Sequence, residues 1–438
     1  MKRLLVLLLL CFAAPRLAAQ DTTDVREGVR LGLEYSGVRP GLVVLPGAGL
    51  DSIRAIVRRD LDYTDRFEMV GGDFASSDPG GTTTGQSGPV SYGIYKAMGA
   101  QLGVELAPAS GGVSARLHDI GLQKVRNQQT FPLPPETDPG YRLELHRVAD
   151  EIARWASGTP GLAATRFLFV TNGRVYRIDS DGQAAVPLTP EGMTALSPVW
   201  SPDAQRIAYT RLEGGRGGVI LQSLANGATQ VAPGAQSALN ITPAFAPDGR
   251  TLAFAHSDET GTDIFTSNFA DRCCAQRLTV GRYADNLSPT FSPDGRRIAF
   301  VSSRSGPPQI YVMAADGTDQ ELLAPFDYGA TGASNAPEWS PDGAKVVFHR
   351  DVSRSPQIFL VDVAGRRVTQ LTSSGRNEDP TWAPDGRHIA FISDRSGRRQ
   401  IWIIDTETGR VRQLQTPGAA RLPSWSRRLG RAAVATNP

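Results

Sequence analysis

The sequence predicts a small N-terminal α/β domain followed by an all-β six-bladed β-propeller of four-stranded blades. Two observations carry that prediction. First, one phrase returns six times: Ser197-Pro-Val-Trp-Ser-Pro-Asp203, Thr242-Pro-Ala-Phe-Ala-Pro-Asp-Gly249, Ser288-Pro-Thr-Phe-Ser-Pro-Asp-Gly295, Ala336-Pro-Glu-Trp-Ser-Pro-Asp-Gly343, Asp379-Pro-Thr-Trp-Ala-Pro-Asp-Gly386 and the degenerate Leu422-Pro-Ser-Trp-Ser426. Its ring residues, Trp200, Phe245, Phe291, Trp339, Trp382 and Trp425, are 45, 46, 48, 43 and 43 residues apart, the period of a propeller blade. Second, the preceding residues 20–160 lack the phrase and alternate strand-like with helix-like segments, the pattern of an α/β unit.

Each repeat reads as four strands. The aromatic sits on the first. Pro-Asp-Gly then makes a turn: Pro presets φ, Asp can accept from nearby backbone N–H groups, and Gly takes a positive φ. The second strand alternates large and small residues, as in Leu252-Ala-Phe-Ala255, Ile298-Ala-Phe-Val301 and Ile389-Ala-Phe-Ile392. Period-2 alternation marks a strand, and a small face lets neighbouring sheets approach. Third strands follow at Gln309-Ile-Tyr-Val312, Gln357-Ile-Phe-Leu360 and Gln400-Ile-Trp-Ile403.

The ends are out of phase. Residues 167–170, 175–178 and 186–189 match strands two to four without a first strand, and residues 423–426 supply a first strand. Pairing these N- and C-terminal strands closes the ring and removes the exposed edges that invite aggregation. The tail 431–435 competes with 167–170 for the second-strand place.

Before the repeats, residues 42–45 and 67–70 read as strands. Between them Asp51-Ser52 is expected to cap a helix bearing Ile53, Ile56, Val57 and Leu61. Residues 71–89, rich in Gly, Ser and Thr, read as a mobile loop, and 92–102 as a helix. Strands are expected at 104–107, 113–119 and 129–133. The clearest helix spans 141–157, with Leu145, Val148, Ile152 and Trp155 at helical spacing. Gly158-Thr-Pro-Gly161 is the linker, dividing domains at 20–160 and 161–438.

Met1-Lys-Arg3, an apolar run at 4–14 and small residues up to Ala19 have the layout of a secretory signal peptide, 1–19. The run is shorter than the about 20 residues a membrane span needs. Leu10 before Cys11 argues against a lipid anchor. The mature chain is therefore expected to be soluble, monomeric, outside the cytoplasm and without membrane insertion. A formal charge of +2 over 438 residues argues against nucleic acid as partner. The remaining cysteines, Cys273 and Cys274, are adjacent. They make either a strained ring in an oxidising compartment or two thiols in a turn.

No catalytic constellation emerges. No G-x-S-x-G elbow occurs, and Gly85-Gln-Ser-Gly88 is one residue short. The five histidines, His118, His146, His256, His349 and His388, show no metal-ligand spacing and are expected in structural roles. The repeated Asp203, Asp248, Asp294, Asp342 and Asp385 are explained by turn chemistry. No metal and no cofactor are expected. What varies is the segment just before each Pro-x-aromatic: Asn240, Thr242, Asn286, Ser288, Asn335, Asn377, Glu378 and Asp379. Read as loops, these would crowd one mouth of the central channel. A frame that repeats serves packing, and a rim that varies suits recognition.

The phrase Ser197–Asp203, followed by Arg206-Ile-Ala-Tyr209 and Leu221-Gln-Ser-Leu-Ala-Asn-Gly227, resembles the TolB family. So does His146-Arg-Val-Ala-Asp-Glu-Ile152, leading through Gly158 and Gly161 into Arg166-Phe-Leu-Phe169. The resemblance implies a non-catalytic periplasmic component of the Tol–Pal system, supporting envelope integrity and cell division. It implies that the channel mouth binds a Pal-like peptidoglycan-associated lipoprotein, here through the rim residues above. It also implies that the mature N-terminus binds a TolA-like inner-membrane protein and acts as a switch, here the segment up to Val29, Arg30, Leu31, Gly32 and Leu33. The alternatives are an envelope enzyme of the propeller lyase or peptidase kind, and a small-molecule sensor that uses the channel as a pocket.

Overall fold

The computed structural model describes residues 37–430 apart from 48, 72–89, 215, 234–238, 270–272, 282–283 and 327–331. The leader, the switch segment Val29 to Leu33, the loop expected at 71–89 beyond its first residue, and the tail 431–435 lie outside the described residues. So do the side chains of Cys273 and Cys274.

The chain first builds a five-stranded sheet in the order β2-β1-β3-β4-β5. Its strands are β1 (Gly41–Val44), β2 (Glu68–Met69), β3 (Leu102–Ala109), β4 (Gly112–Asp119) and β5 (Lys124–Pro132). Helices α1 (Asp51–Asp62), α2 (Tyr92–Ala97) and α3 (Tyr141–Ser157) accompany them. Two sequence expectations need correction. Leu50, not Asp51, is the N-cap of α1, and no side chain caps it; Asp51 lies in the first turn and accepts from Arg54. An acid there still complements the helix dipole. Helix α2 stops at Ala97, well short of 102, because Gly99 turns the chain at φ 90. Its carbonyl then abuts Gly41, where an added Cβ would lie 2.3 Å from it, so β1 must begin with glycine. Helix α3 has the expected bounds, and Gly158 ends it in the left-handed conformation. Leu145, Val148 and Ile152 pack against Val57, Leu61 and the β-sheet.

The repeats follow. Strands β6 (Arg166–Thr171), β7 (Arg174–Asp179) and β8 (Val186–Pro187) form a sheet with β29 (Arg421–Trp425), in the order β29-β6-β7-β8. Strands β9 (Thr194–Trp200), β10 (Arg206–Glu213), β11 (Arg216–Ser223) and β12 (Thr229–Val231) make the next unit. Strands β13 (Leu239–Phe245), β14 (Thr251–Asp258), β15 (Gly261–Asn268) and β16 (Cys273–Arg277) make the one after. These two share one eight-stranded sheet through the single parallel pair Gly217↔Leu239. Three separate four-stranded sheets complete the series. They are β17 (Asn286–Phe291) to β20 (Glu321–Leu322) with β18 (Arg297–Ser302) and β19 (Gln309–Ala314), and β21 (Ser334–Trp339) to β24 (Val368–Gln370) with β22 (Lys345–Val352) and β23 (Ser355–Asp362). The last runs from β25 (Asn377–Trp382) to β28 (Val411–Leu414), with β26 (His388–Ser393) and β27 (Gln400–Asp405). The architecture is a β-propeller with an N-terminal α/β-type domain. First strands pack in series, β9 on β13, then β17, β21, β25 and β29, and β29 packs on β9.

Turn chemistry accounts for the repeated aspartates. Oδ1 of Asp203, Asp248, Asp294, Asp342 and Asp385 accepts from the backbone N–H two residues on, at 2.7–3.1 Å. The following Gly249, Gly295, Gly343 and Gly386 all have positive φ, and Ala204 takes that place in the repeat that lacks glycine.

One regularity was not read from the sequence. The residue before the first proline of every repeat, Ser197, Thr242, Ser288, Ala336, Asp379 and Leu422, sits at φ 48–52. The left-handed region is uncommon for non-glycine residues and costly for a β-branched one. A break in register accompanies it in each first strand. Each first strand thus carries a β-bulge, which bends the strand and re-aims its side chains.

The β29–β6 pair brings the two ends of the propeller together. Trp425 is buried, its ring centroid lies 4.4 Å from that of Phe167, and its indole N–H donates to Thr165 Oγ1 at 2.8 Å. Trp425→Ala should therefore cost about 3–5 kcal/mol, read as a shift of the urea unfolding midpoint. A cost below about 1 kcal/mol would mean that this pairing does not hold the ends.

Candidate functional site

The bulges determine what the first strands present where they converge. A bulge leaves its own N–H without a ladder partner. Here the preceding blade supplies one. Thr242 N–H donates to Thr210 Oγ1 (3.2 Å) and Ser288 N–H to Thr242 Oγ1 (3.2 Å). Asp379 N–H donates to His349 Nδ1 (3.1 Å), and Leu422 N–H to Asp379 Oδ2 (3.4 Å). A second tier lies further along β21, β25 and β29. Trp425 N–H donates to Thr381 Oγ1 (3.2 Å), and the Glu338 carboxyl is bonded by the Thr381 hydroxyl and the Trp382 N–H. Polar side chains on the first or second strand of one blade thus stitch it to the first strand of the next.

Electrostatics in this region are unusual. Burial pushes the Glu338 carboxyl up to about 7, against the two hydrogen bonds it accepts. Burial also raises Asp379. It pulls His349 down to about 4, so the imidazole is neutral and its Nδ1 is free to accept from Asp379. Among the described residues no ion pair reaches Glu338 or Asp379. Glu378, half-buried, is held by Arg399 at 3.1 Å and Arg376 at 3.9 Å.

The predicted rim residues divide in two. None of them lies in a loop; all are on first strands, which corrects the sequence expectation. Asn286 and Asn377 are wholly buried and Asn240 nearly so. Asn286 Nδ2 donates to Asp263 Oδ1 (3.0 Å), and its Oδ1 accepts from Ser302 (2.8 Å) and Arg304 (3.0 Å). Asn377 Nδ2 donates to Gln357 Oε1 (2.8 Å), and its Oδ1 accepts from Arg395. Asn240 Oδ1 lies 2.8 Å from His256 Nδ1. All three asparagines brace strands, and Asn286 and Asn377 have no face left for a partner. Thr242, Ser288, Asn335, Glu378 and Asp379 are only half-buried and remain where the strands converge. His349, expected in a structural role, joins them; Glu338 and the buried Thr381 do too and were missed. The signal for Glu338 was its offset: at the place it shares with Val199, Ala244, Thr290, Thr381 and Ser424, it is the one acid.

Histidines His146 and His388 lie elsewhere. Each is wholly buried and set among carboxylates, His146 by Asp60 and Asp181 and His388 by Asp65 and Asp385, where the α/β unit meets the propeller. His118 is buried within the α/β unit, bonded to Tyr92 and Glu105. No helix among the described residues is long and apolar enough to cross a membrane.

A family model described as the TolB beta propeller domain matches residues 156–327 and 328–437. The Tol-Pal system protein TolB of Methylococcus capsulatus is 31% identical over 236 residues, 50% of this chain and 52% of that protein. The chain thus aligns with about half the length of this curated relative. The crystal structure of TolB from Acinetobacter baumannii superposes with a TM-score of 0.75 at 22% identity, over 91% of this chain and 99% of that one. That likeness is one of fold.

Glu338 makes a signed prediction. Its folded pKa stands above the ordinary 4.5. The stability linked to the protonated acid is therefore complete below pH 4.5 and is lost as pH rises through about 7. Glu338→Gln should match the wild type in thermal midpoint at pH 4 and exceed it at pH 8. Equal midpoints at both values would place Glu338 in water.

Proposed function

Because the chain belongs to the TolB β-propeller family, we propose that it is a component of the Tol–Pal system, working in the periplasm as a protein-binding adaptor without a catalytic step. In this reading, residues 1–19 are a cleaved leader, 20–160 the α/β domain and 161–438 a six-bladed propeller closed by the β29–β6 pair. The series of first-strand contacts, from β9 round to β29 and back to β9, supports that closure.

The observation that carries the adaptor reading is the stitched set of half-buried polar groups on the bulged first strands. Thr242, Ser288, Asn335, Glu338, Glu378 and Asp379, with the buried Thr381 beside them, are of recognition chemistry: hydroxyls, an amide and carboxyl groups, of which Thr242, Ser288 and Asp379 are held at a left-handed φ. Preorganised groups of this kind lose little freedom on binding. The occupant proposed is a Pal-like peptidoglycan-associated lipoprotein. The segment through Val29, Arg30, Leu31, Gly32 and Leu33 is proposed as the TolA-binding switch. A switch of this kind couples two partners only through differential affinity.

The experiment is capture from detergent-solubilised envelope with the mature chain as bait. A peptidoglycan-associated lipoprotein is expected among the captured proteins. Glu378→Lys with Asp379→Lys should reduce its capture at least tenfold with the circular dichroism spectrum unchanged. Deleting residues 20–33 should change the affinity for that lipoprotein. Undiminished capture by the double variant removes these carboxylates from the site, and unchanged affinity after the deletion removes the switch.

A further inference from the structure

The junction between the α/β unit and the propeller is built from buried charges and not from a shared apolar core. The apolar cluster of the α/β unit takes in only Ala163 from beyond α3. The clusters of the propeller hold no residue before Leu162. What crosses the boundary is polar: beside the linker α3 binds residues 163–164 through Asp150 and residues 429–430 through Arg147, and the other side-chain contacts fall into two reciprocal sockets.

In the first socket the propeller supplies the acid. Asp181, in the turn after β7, buries its side chain completely. It accepts from Arg59 of α1 and from Arg142 of α3. His146 of α3 completes the socket. Its Nδ1 is 2.7 Å from Asp60 of α1, and its Nε2 is 3.8 Å from Asp181, without a hydrogen-bond partner. Asp179 at the end of β7 adds a further negative charge, and burial notwithstanding, the bond to Asp60 raises the His146 pKa.

In the second socket the α/β unit supplies the acid. Asp65, in the turn after α1, is buried and held at φ 56. Its Oδ2 lies 3.2 Å from His388 Nε2, and its Oδ1 accepts from Arg410 at 2.8 Å. Its carbonyl accepts from Arg387 at 3.2 Å. Arg410 also grips both carboxylate oxygens of Asp62, at 2.8 and 2.9 Å. His388 Nδ1 faces Asp385 at 2.8 Å, and Arg387 pairs with Asp405 and Glu407. Arg66 approaches Asp385 at 4.0 Å, and Arg412 of β28 lies over the Tyr63 ring at 4.0 Å. Burial pulls His388 down, but the bonds to Asp385 and Asp65 outweigh it and hold its pKa at about 9.

Parting an apolar core costs its full hydrophobic term. Parting buried ion pairs returns both partners to water, which repays most of the lost attraction. Reciprocal acids also forbid a wrong docking, since a displaced acid meets like charge. An interface of this kind specifies one orientation strongly and holds it weakly. We propose that these two sockets form a separable latch: Asp181 in Arg59, Arg142 and His146, and Asp65 in His388, Arg387 and Arg410, fixing the α/β unit against the propeller in one state and releasing it while both units stay folded. The latch follows a sign in pH. Stability from the raised imidazole of His388 is complete below pH 6.5 and falls away as pH rises through about 9.

The test is hydrogen exchange on the mature chain, comparing the wild type with Asp65→Asn plus Asp181→Asn at pH 7. Exchange at residues 59–66, 179–183 and 405–410 should rise at least tenfold, while α3, β4 and the inner propeller strands keep their protection. In the wild type the same segments should loosen between pH 7 and pH 9.5 after correction for intrinsic rates, and His388→Gln should remove that dependence around 405–410. Unchanged exchange in the double variant overturns the latch. A rise spread over both units also overturns it, because the sockets would then hold up the folds and not the joint.

Discussion

The polar face of α3 is the constraint on which the rest of the molecule depends. Asp150 is buried and has no ion-pair partner among the described residues; its two oxygens accept from the backbone N–H groups of Ala163 (2.7 Å) and Ala164 (3.0 Å). Those residues lead directly into β6. Burial lifts the Asp150 carboxyl to about 6 even so, a measure of how far it is removed from water. Gly161 has no space for a Cβ, which would fall 2.4 Å from Asp150 Oδ1. One turn away, Arg147 binds the carbonyls of Leu429 and Gly430, and Arg428 returns from the other side to those of Gly161 and Pro160. The start of β6 and the chain after β29 are thus pinned to the same helix. The pairing of the first and last propeller strands inherits its position from that pin.

From there the propeller repeats one device. A left-handed residue precedes proline, a bulge follows, and at Thr242, Ser288, Asp379 and Leu422 the freed N–H goes to a side chain of the blade before. The acceptor is Thr210 or His349 on a second strand, or Thr242 or Asp379 at the bulge of a first strand. The same positions carry the variation proposed for recognition. Packing and binding are thus served by one set of residues: bulged strands held in uncommon conformations keep their polar groups aimed, and such strain is found where function needs fixed geometry.

Much of this was legible in the sequence, and the failures have physical causes. The blade period, the turn aspartates, the α3 bounds and the missing first strand at residue 167 follow from local patterns, and local patterns survive folding. The α1 cap and the α2 length did not, because Gly99 and its approach to Gly41 are tertiary facts. Asn286 and Asn377 looked like rim groups because their polarity and their place before proline were visible, whereas the Asp263 and Gln357 that claim them lie 23 and 20 residues away. The histidines show the limit most clearly. His146 meets Asp60 across 86 residues and His388 meets Asp65 across 323. No spacing rule reaches that far. Yet the segment His146 to Ile152, which carried the family resemblance, contains His146, Arg147 and Asp150, and the structure gives each a partner across the joint.

The most direct measurement is the exchange rate of the Ala163 and Ala164 amides in the intact chain. They lie in a short segment outside any helix or strand, and the Asp150 carboxylate is their hydrogen-bond acceptor. The account predicts protection close to that of β6, lost in Asp150→Ala and not in Glu151→Ala. Exchange of these two amides at the rate of an open loop would mean that α3 does not pin the propeller, and the account of the joint would fail with it.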